Sequence, residues 1–189
     1  MIDARTTEVC TRTTEVWMVR HTSVDVTAGT CYGRSDVPLR ETFATEAEEV
    51  RCALQSVTFD TVWSSPLGRC TRLAEACGHS DARRDDRLRE IDFGAWEMCR
   101  FDQIDDPALQ LWYDDYLHAR PTGGESFDEL RARVAEFLEE LRGGGRILVF
   151  AHGGVILAAG IHAGLWSAEE AFSNQPPYGG IIKLTLPAR

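Results

Sequence analysis

The sequence predicts an α/β protein with three layers, in which helices cover both faces of a mostly parallel β-sheet. Two apolar runs, 16–22 (VWMVRHT) and 146–154 (RILVFAHGG), each have the length of a buried strand and end abruptly in polar or small residues. Between these runs, strand-like and helix-like stretches alternate, as they do where helices connect parallel strands. The 189 residues are enough for one domain with a substantial core.

The chain opens with a polar segment that precedes the first strand. Residues 1–14 are rich in threonine, so we predict a loose lead-in there and a single domain over 15–189. The first strand leads into a long loop, 22–40, which contains two glycines and a proline. Loops of this length inside compact domains often carry functional residues.

Two helices and a strand are predicted next. The first helix is placed by Thr45 and Glu48, which have the spacing of a capping box. A buried strand is expected over 59–64 and a second helix over 67–77. Arg69 lies in the first turn of this second helix, where the helix dipole disfavours a cation. Its position indicates an anionic partner, with a solvated surface arginine as the alternative.

The middle of the chain is rich in carboxylates and aromatic side chains. Residues 98–125 are predicted to form a small acidic helical cap inserted into the domain. Trp112, Tyr113 and Tyr116 in this insert could stack on a heteroaromatic base. Packing of the cap against its neighbours is the more common role of such residues, and it is the interpretation that we favour.

The last third of the chain contains the clearest helix. It is predicted over 126–142 from a Ser126–Glu129 capping box and a continuous apolar face. After the second apolar strand, a helix of small residues is expected over 154–165 and a final strand over 180–186.

The net charge of −10, from 20 basic and 30 acidic residues, argues against nucleic acid and anionic membranes as partners. No apolar run is long enough to cross a bilayer and no signal peptide opens the chain, so a cytoplasmic location is expected. A small phosphorylated substrate would be repelled at long range, so local arginines must overcome that field. The oligomeric state is left open, with a homodimer among the options.

The six cysteines form no CxxC pair, which favours reduced structural thiols over disulfides or a zinc site. Cys31 lies in the loop beside the predicted site, and its reactivity is an open question. His79, His118 and His162 are interpreted as structural or surface residues. No histidine or cysteine pair has the spacing of metal ligands, so neither a metal nor another cofactor is expected.

Two histidines, His21 and His152, directly follow the two apolar strands. Because the carboxyl ends of parallel strands meet at one edge of a sheet, we expect both histidines in a single site. Arg20 precedes the first of them. The pattern predicts a phosphoryl-transfer site in which one histidine is the nucleophile.

Four short motifs carry a resemblance to a known family, and they occur in the order found in that family. The motifs are 20–22 (RHT), 65–69 (SPLGR), 90–94 (EIDFG) and 152–153 (HG). Together they resemble the signatures of the histidine phosphatase superfamily, the group of phosphoglycerate mutases and related phosphomonoesterases. The resemblance runs from about Val16 to Leu186 and implies a phosphoglycerate mutase-like fold.

The resemblance implies that His21 is a nucleophile that forms a phosphohistidine, which water then hydrolyses. Arg20 and Arg69, together with His152, would hold the phosphoryl oxygens. The same two arginines disfavour a second positive charge nearby and so favour a neutral, nucleophilic imidazole. Backbone N–H groups from Gly153 onward could add a helix-terminus contribution to substrate binding.

Glu90 matches the proton donor of the family, which protonates the leaving oxygen. Asp92 and Glu97 are its local rivals, and we prefer Glu90 because of its place in the motif. Ser23 and Arg34, in the first loop, are candidate substrate-binding residues, with a purely structural role in the loop as the alternative.

Two positions depart from common members of the family. Thr22 stands where glycine is most common, and Ile91 stands where mutases typically have arginine. The segment 20–39 instead resembles the α-ribazole phosphatase branch, which removes phosphate from a precursor of the cobalamin nucleotide loop. The aspartates of the cap are also poorly suited to phosphoglycerate.

The leading hypothesis is therefore a phosphomonoesterase that acts on a small phosphorylated metabolite, with α-ribazole 5′-phosphate as the candidate substrate. The alternatives are a phosphoglycerate mutase-type phosphotransferase and a non-catalytic regulator that binds a phosphorylated ligand.

Overall fold

The first apolar run forms strand β1, Thr14–Arg20, in a computed structural model that describes residues 13–188. Thr14 is fully buried; its hydroxyl donates to the carbonyl of Leu141 and accepts the N–H of Gly143. These two contacts fix Thr14 in the sheet, so it does not belong to the predicted lead-in. The part of the lead-in over 1–12 lies outside the described residues.

In the described part of the chain, five strands form one sheet in the order β3-β2-β4-β1-β5. Strands β2, β3 and β4 run parallel with β1, and β5 pairs antiparallel with it. This arrangement confirms the mostly parallel sheet. The remaining strands are β2, Thr61–Ser64; β3, Arg83–Arg84; β4, Arg146–Ala151; and β5, Ile181–Leu186.

Alternate residues of β1 point to opposite faces of the sheet, as the pleat of a strand requires. Val16 and Met18 join a core with α4 and α5, whereas Trp17 and Val19 join a core with α1 and α2. Helices therefore cover both faces, which confirms the predicted three layers. The helices are α1, Phe43–Leu54; α2, Gly68–Ala76; α3, Pro107–Asp114; α4, Phe127–Leu141; and α5, Gly153–His162. None of the helices within 13–188 has the length and apolar character needed to span a bilayer.

Helix α1 does not begin with the predicted capping box. Its N-cap is Thr42, whose hydroxyl donates to Glu46 at 2.6 Å, while Thr45 and Glu48 lie inside the helix. Glu48 instead accepts hydrogen bonds from Arg51, one turn later. The helix starts earlier because the preceding turn, closed by a backbone hydrogen bond from residue 43 to residue 40, sets its first residue.

Helix α4 begins as predicted. The Ser126 hydroxyl accepts the N–H of Glu129, and the Glu129 carboxylate accepts the N–H of Ser126, so the capping box is complete. The residues of its apolar face are buried against the sheet and α5: Phe127, Leu130, Val134, Phe137, Leu138 and Leu141.

The segment 98–125, predicted as a helical cap, contains a short 3₁₀ turn and helix α3. Asp106 caps α3 by accepting the N–H of Ala108, and its other oxygen accepts the indole N–H of Trp96 at 2.7 Å. Trp112 stacks on Phe101, with ring centroids 5.9 Å apart. An aromatic cluster therefore holds α3 beside the edge of the sheet.

Candidate active site

The two strand-end histidines lie side by side. Strands β1 and β4 are hydrogen-bonded neighbours with Arg20 opposite Ala151, so His21 and His152 leave the sheet at the same level. The centroids of their rings are 5.3 Å apart. Residues separated by most of the chain thus share one edge of the sheet.

His21 is buried, with 2% of its surface exposed. Its Nδ1 lies 2.7 Å from the carbonyl oxygen of Thr22. Because a carbonyl only accepts hydrogen bonds, Nδ1 carries the ring proton and Nε2 keeps a free electron pair. Burial, followed by the charges of Arg69 and Arg20, lowers the pKa of His21 to about 3, although the Thr22 carbonyl opposes this shift. The imidazole is therefore neutral and nucleophilic near pH 7.

His152 is completely buried, and both of its ring nitrogens are engaged. Arg69 Nε donates to Nδ1 at 3.2 Å, so the proton lies on Nε2, which is 2.7 Å from the Ser65 hydroxyl. Burial and the charge of Arg69 lower the pKa of His152 well below its usual value. This second imidazole is also neutral and has a fixed orientation.

Arg69 is buried at the start of α2, with 1% of its surface exposed, so the alternative of a solvated surface arginine is wrong. Beyond its contact with His152, Nη1 donates to the Ser35 carbonyl at 2.8 Å and Nη2 to the Gly33 carbonyl at 2.6 Å. Each terminal nitrogen carries a second N–H that these contacts do not use.

Arg20 is held from two sides. Its Nη1 donates to the Pro176 carbonyl at 2.6 Å, and its guanidinium lies 4.2 Å from the centre of the Tyr178 ring. Its Nε is buried with no hydrogen-bond partner among the described residues. A buried donor without a partner costs about 1–3 kcal/mol, and the oxygen of an anion would suit it.

Glu90 reaches the same edge of the sheet from the connection after β3. One carboxylate oxygen accepts the N–H of Ile91 at 3.0 Å, and the other accepts the N–H of Gly154 at 3.1 Å. A Cβ at Gly154 would lie 2.5 Å from Glu90 Oε1, so the glycine makes this approach possible.

The two alternatives to Glu90 as proton donor, Asp92 and Glu97, form other contacts. Asp92 forms an ion pair with Arg34 at 3.2 Å. Glu97 accepts backbone N–H groups from the 22–40 loop. Arg34 also pairs with Glu125 at 3.6 Å, is partly exposed and does not line the cavity described below.

The structure brings Gly153 into the cluster but places Ser23 outside it. A Cβ at Gly153 would lie 2.3 Å from Gln175 Nε2 and 3.6 Å from the guanidinium carbon of Arg20. Ser23 directs both its N–H and its hydroxyl to the carboxylate of Glu46 in α1.

A cavity of about 220 Å³ opens onto His21, Arg20 and Glu90. Most of its wall is apolar, and Trp112 and Tyr116 of the cap line it in addition to packing against their neighbours. Tyr113 is 54% exposed and does not contribute to the wall. Besides His21, the aromatic residues of the wall are Tyr32, Phe93, Phe101, Trp112, Tyr116, Phe127 and Phe172.

Two tyrosines lie over the cationic cluster. The hydroxyl groups of Tyr32 and Tyr178 are 2.8 Å apart, and the Tyr178 ring centroid lies 5.5 Å from that of His21. The Tyr32 ring lies 5.6 Å from the guanidinium of Arg69. Burial, followed by the hydrogen bond to Tyr178, raises the pKa of Tyr32, so this phenol remains protonated.

Cys31 also lines the cavity, and burial, followed by the charge of Glu97, raises the pKa of its thiol to about 12. Because the thiolate is the nucleophilic form, this shift disfavours reaction of Cys31 near neutral pH. The five cysteines within 13–188 are free thiols, and Cys10 lies outside the described residues. The described part of the chain holds no cluster of three or more residues suited to a metal ion.

The remaining histidines lie apart from the cluster. His118 pairs with Asp115 on the surface, His162 contacts Glu139, and the ring of His79 lies near that of Phe150.

The geometry agrees with a comparison against protein families. The model of the histidine phosphatase superfamily (branch 1) matches residues 16–188. This chain belongs to that superfamily. Histidine phosphatases act on small phosphorylated substrates, which fits a cavity that opens onto arginine and histidine side chains.

Several histidine phosphatases are similar to this chain. The adenosylcobalamin/α-ribazole phosphatase of Escherichia coli is 30% identical over 151 residues, which cover 75% of this chain and 74% of the relative. The protein named probable phosphoglycerate mutase GpmB of Salmonella choleraesuis is 34% identical over 151 residues, or 74% and 69% of the two chains. The structure of mycobacterial glucosyl-3-phosphoglycerate phosphatase is 26% identical, with a TM-score of 0.81 and coverage of 92% and 91%.

Sequence reasoning missed several residues of this histidine phosphatase site. Ser65 was available as the first residue of the SPLGR motif, and Tyr32 lies in the loop already considered functional. No sequence pattern points to Tyr178 and Gln175, because they belong to an irregular segment before β5.

Proposed function

We propose that this protein is a phosphomonoesterase that hydrolyses a small phosphorylated metabolite through a phosphohistidine at His21, with α-ribazole 5′-phosphate as the candidate substrate. The observation that carries the proposal is that the buried, neutral imidazole of His21, with a free electron pair on Nε2, lines the same cavity as Arg20 and Glu90. Metal ions take no part in the proposed reaction.

In the first step, His21 Nε2 attacks phosphorus, and the bond between phosphorus and the leaving oxygen breaks. Arg20 and Arg69 hold the phosphoryl oxygens. His152, next to the neighbouring strand, accepts a hydrogen bond from Arg69 Nε and so helps to fix that arginine. Glu90 gives its proton to the leaving oxygen. The proposed step requires Glu90 to hold a proton when the substrate binds, because the leaving oxygen takes that proton as its bond to phosphorus breaks.

In the second step, a water molecule attacks phosphorus and returns a proton to Glu90, while the bond between nitrogen and phosphorus breaks. Inorganic phosphate leaves and neutral His21 is restored. The pocket contributes mainly position and charge, which is what phosphoryl transfer requires of an enzyme.

The substrate class is argued from the wall of the cavity. Aromatic side chains on several sides suit a flat apolar group, such as a heteroaromatic base joined to a phosphorylated ribose. The similarity to an α-ribazole phosphatase supports the same choice.

A mutase is the second candidate, because of the 34% identity to the GpmB protein. A phosphoglycerate mutase must hold a carboxylate as well as a phosphoryl group. The proposed reaction already assigns Arg20 and Arg69 to the phosphoryl group. No other described residue that lines the cavity carries a fixed positive charge, and Ile91 offers none. We therefore favour hydrolysis.

The test is release of inorganic phosphate from a panel that contains α-ribazole 5′-phosphate, sugar phosphates and 3-phosphoglycerate, with His21→Ala as the control. We expect hydrolysis by the parent protein, highest for the aromatic substrate, and none by the variant. Full activity in His21→Ala would refute the assignment of the nucleophile. Isomerised phosphoglycerate without phosphate release would favour the mutase, and ligand binding without a labelled histidine would favour a non-catalytic regulator.

A further inference from the structure

The peptide unit between Gly33 and Arg34 is held at both ends. The N–H of Arg34 donates to Glu97 Oε1 at 2.9 Å. The carbonyl of Gly33, which belongs to the same peptide unit, accepts from Arg69 Nη2 at 2.6 Å. Because the N–H and C=O of a planar trans peptide point in opposite directions, Glu97 and Arg69 hold the two sides of one rigid group.

The Glu97 carboxylate organises the whole turn around this unit. It also accepts the N–H groups of Gly33 and Ser35, both at 3.1 Å, and that of Phe93 at 3.2 Å. Successive N–H groups that converge in this way form a concave anion site, and here the chain fills the site with its own carboxylate.

Ionisation of Glu97 is maintained by these contacts. Partial burial by itself would raise the pKa of Glu97. Hydrogen bonds from Ser35 and from the backbone of Gly33, Arg34 and Phe93 lower it by more than burial raises it, so the net shift is downward. The carboxylate is therefore charged near neutral pH.

The carbonyl groups of the same turn accept hydrogen bonds from Arg69. Its two terminal nitrogens donate to the Gly33 and Ser35 carbonyls, and its Nε donates to His152. With three contacts in three directions, the planar guanidinium has one orientation. Two of these contacts depend on a turn that Glu97 holds together.

The turn lies close to the segment that carries Glu97. A Cβ at Gly33 would lie 1.8 Å from the carbonyl oxygen of Ile91, so the backbones are in direct contact there. Glu97 itself is not among the residues that line the cavity. Glu97 reaches Arg69 through the turn, because Glu97 holds the N–H groups of residues 33–35 and Arg69 donates to the Gly33 and Ser35 carbonyls.

We propose that Glu97 is a positioning residue that sets the orientation of Arg69 through the 33–35 turn. The proposal rests on the proposed function, in which Arg69 holds the transferred phosphoryl group. Removing the charge of Glu97 would loosen the turn, move the Gly33 and Ser35 carbonyls and misalign the guanidinium.

The test is a double-mutant cycle with Glu97→Gln, Arg69→Ala and the double variant. We measure kcat/KM for phosphate release, inhibition by orthovanadate and thermal unfolding. Since a misplacement of about 1 Å can cost about 100-fold in rate, we expect Glu97→Gln to lower kcat/KM by about 10- to 100-fold and to weaken vanadate inhibition. In the Arg69→Ala background, Glu97→Gln should change kcat/KM by less than about twofold.

Glu140→Gln is the matched control, because Glu140 is a surface carboxylate that pairs with Arg87 away from the site. It should leave kcat/KM unchanged. If Glu97→Gln does not fold, Glu97→Asp, which keeps the charge but retracts it, takes its place in the cycle.

Equal losses from the Glu97 substitution in both backgrounds would overturn the positioning role while leaving the proposed function intact, because Arg69→Ala would still be impaired. Full activity of Arg69→Ala would instead overturn the role of Arg69 in holding the phosphoryl group, and the positioning role with it. The proposed function itself would fail only if the parent protein released no phosphate.

Discussion

Among the residues of the site, His21 and Glu90 have complementary roles in the proposed reaction. Burial and neighbouring arginines keep His21 unprotonated, so its electron pair is available near neutral pH. Glu90 lies at the same cavity, and its carboxylate is oriented by the N–H groups of Ile91 and Gly154. In the proposed reaction, the first residue gives an electron pair and the second gives a proton.

This division of roles predicts how Glu90→Gln depends on the leaving group. An alkyl phosphate needs protonation of its leaving oxygen, so its kcat should fall by about 100-fold or more. For p-nitrophenyl phosphate, whose leaving phenolate is stable without a proton, the loss should stay below about 10-fold. Steady-state kinetics on both substrates measure the ratio.

Asp92→Asn is the control for that experiment, since Asp92 pairs with Arg34 instead of lining the cavity. Its two rates should stay near those of the parent. Equal losses on both substrates in Glu90→Gln would show that Glu90 does not act as the proton donor.

At the scale of elements, the cap supplies part of the aromatic wall of the cavity. Helix α3 carries Trp112, which stacks on Phe101 and meets Phe93 edge to face, 6.1 Å between ring centroids. In the proposed reaction, residues at the sheet edge act on the phosphoryl group, and the cap offers a flat apolar surface beside them.

We therefore predict that Trp112→Ala discriminates between substrates. Stacking of a base on an aromatic side chain is worth about 1–3 kcal/mol, so KM for a phosphorylated nucleoside should rise by about 10-fold or more. KM for glycerol 3-phosphate, which has no ring, should change little. Tyr113→Ala, on the same helix but outside the cavity, should behave as the parent on both substrates. An equal increase in KM for both substrates in Trp112→Ala would argue against a stacking surface.

At the scale of the whole molecule, two buried imidazoles make the stability depend on pH. The unfolded chain binds a proton at each histidine near pH 6.5, whereas folded His21 does so only near pH 3 and His152 well below its usual range. As the pH falls below about 6.5, the unfolded state takes up more protons and the folded state loses stability.

Between pH 7 and pH 5.5 we expect the free energy of unfolding to decrease by about 1 kcal/mol for each of these histidines. Urea denaturation at the two pH values measures the decrease, and His21→Ala should reduce it by about 1 kcal/mol. His118→Gln is the control. Asp115 raises the pKa of that exposed ring, so replacing His118 should not make the fall in the free energy of unfolding between pH 7 and pH 5.5 any smaller. An unchanged decrease in His21→Ala would contradict the low pKa.

The parts of the fold and site that could be predicted are those that follow from periodicity and strand polarity. The meeting of His21 and His152 follows from two parallel strands that end at one edge. Helix α4 follows from a capping box next to a regular apolar face.

The parts that could not be predicted depend on contacts between distant segments. Ser23 turns to Glu46, and Arg34 turns to Asp92, because folding of the loop brings these partners together without any repeating pattern. The position of Arg69 in its helix predicts an anionic partner, whereas in the structure its guanidinium donates to the carbonyls of Gly33 and Ser35.

The pairing of β1 with β4 has a consequence for synthesis. The two strands that precede His21 and His152 are far apart in the described chain, yet they exchange hydrogen bonds directly. A nascent polypeptide that leaves the ribosome has the first histidine early, but it has no complete pocket until the final third has emerged. The proposed activity therefore requires that both strands, and not the first alone, have been synthesised and paired.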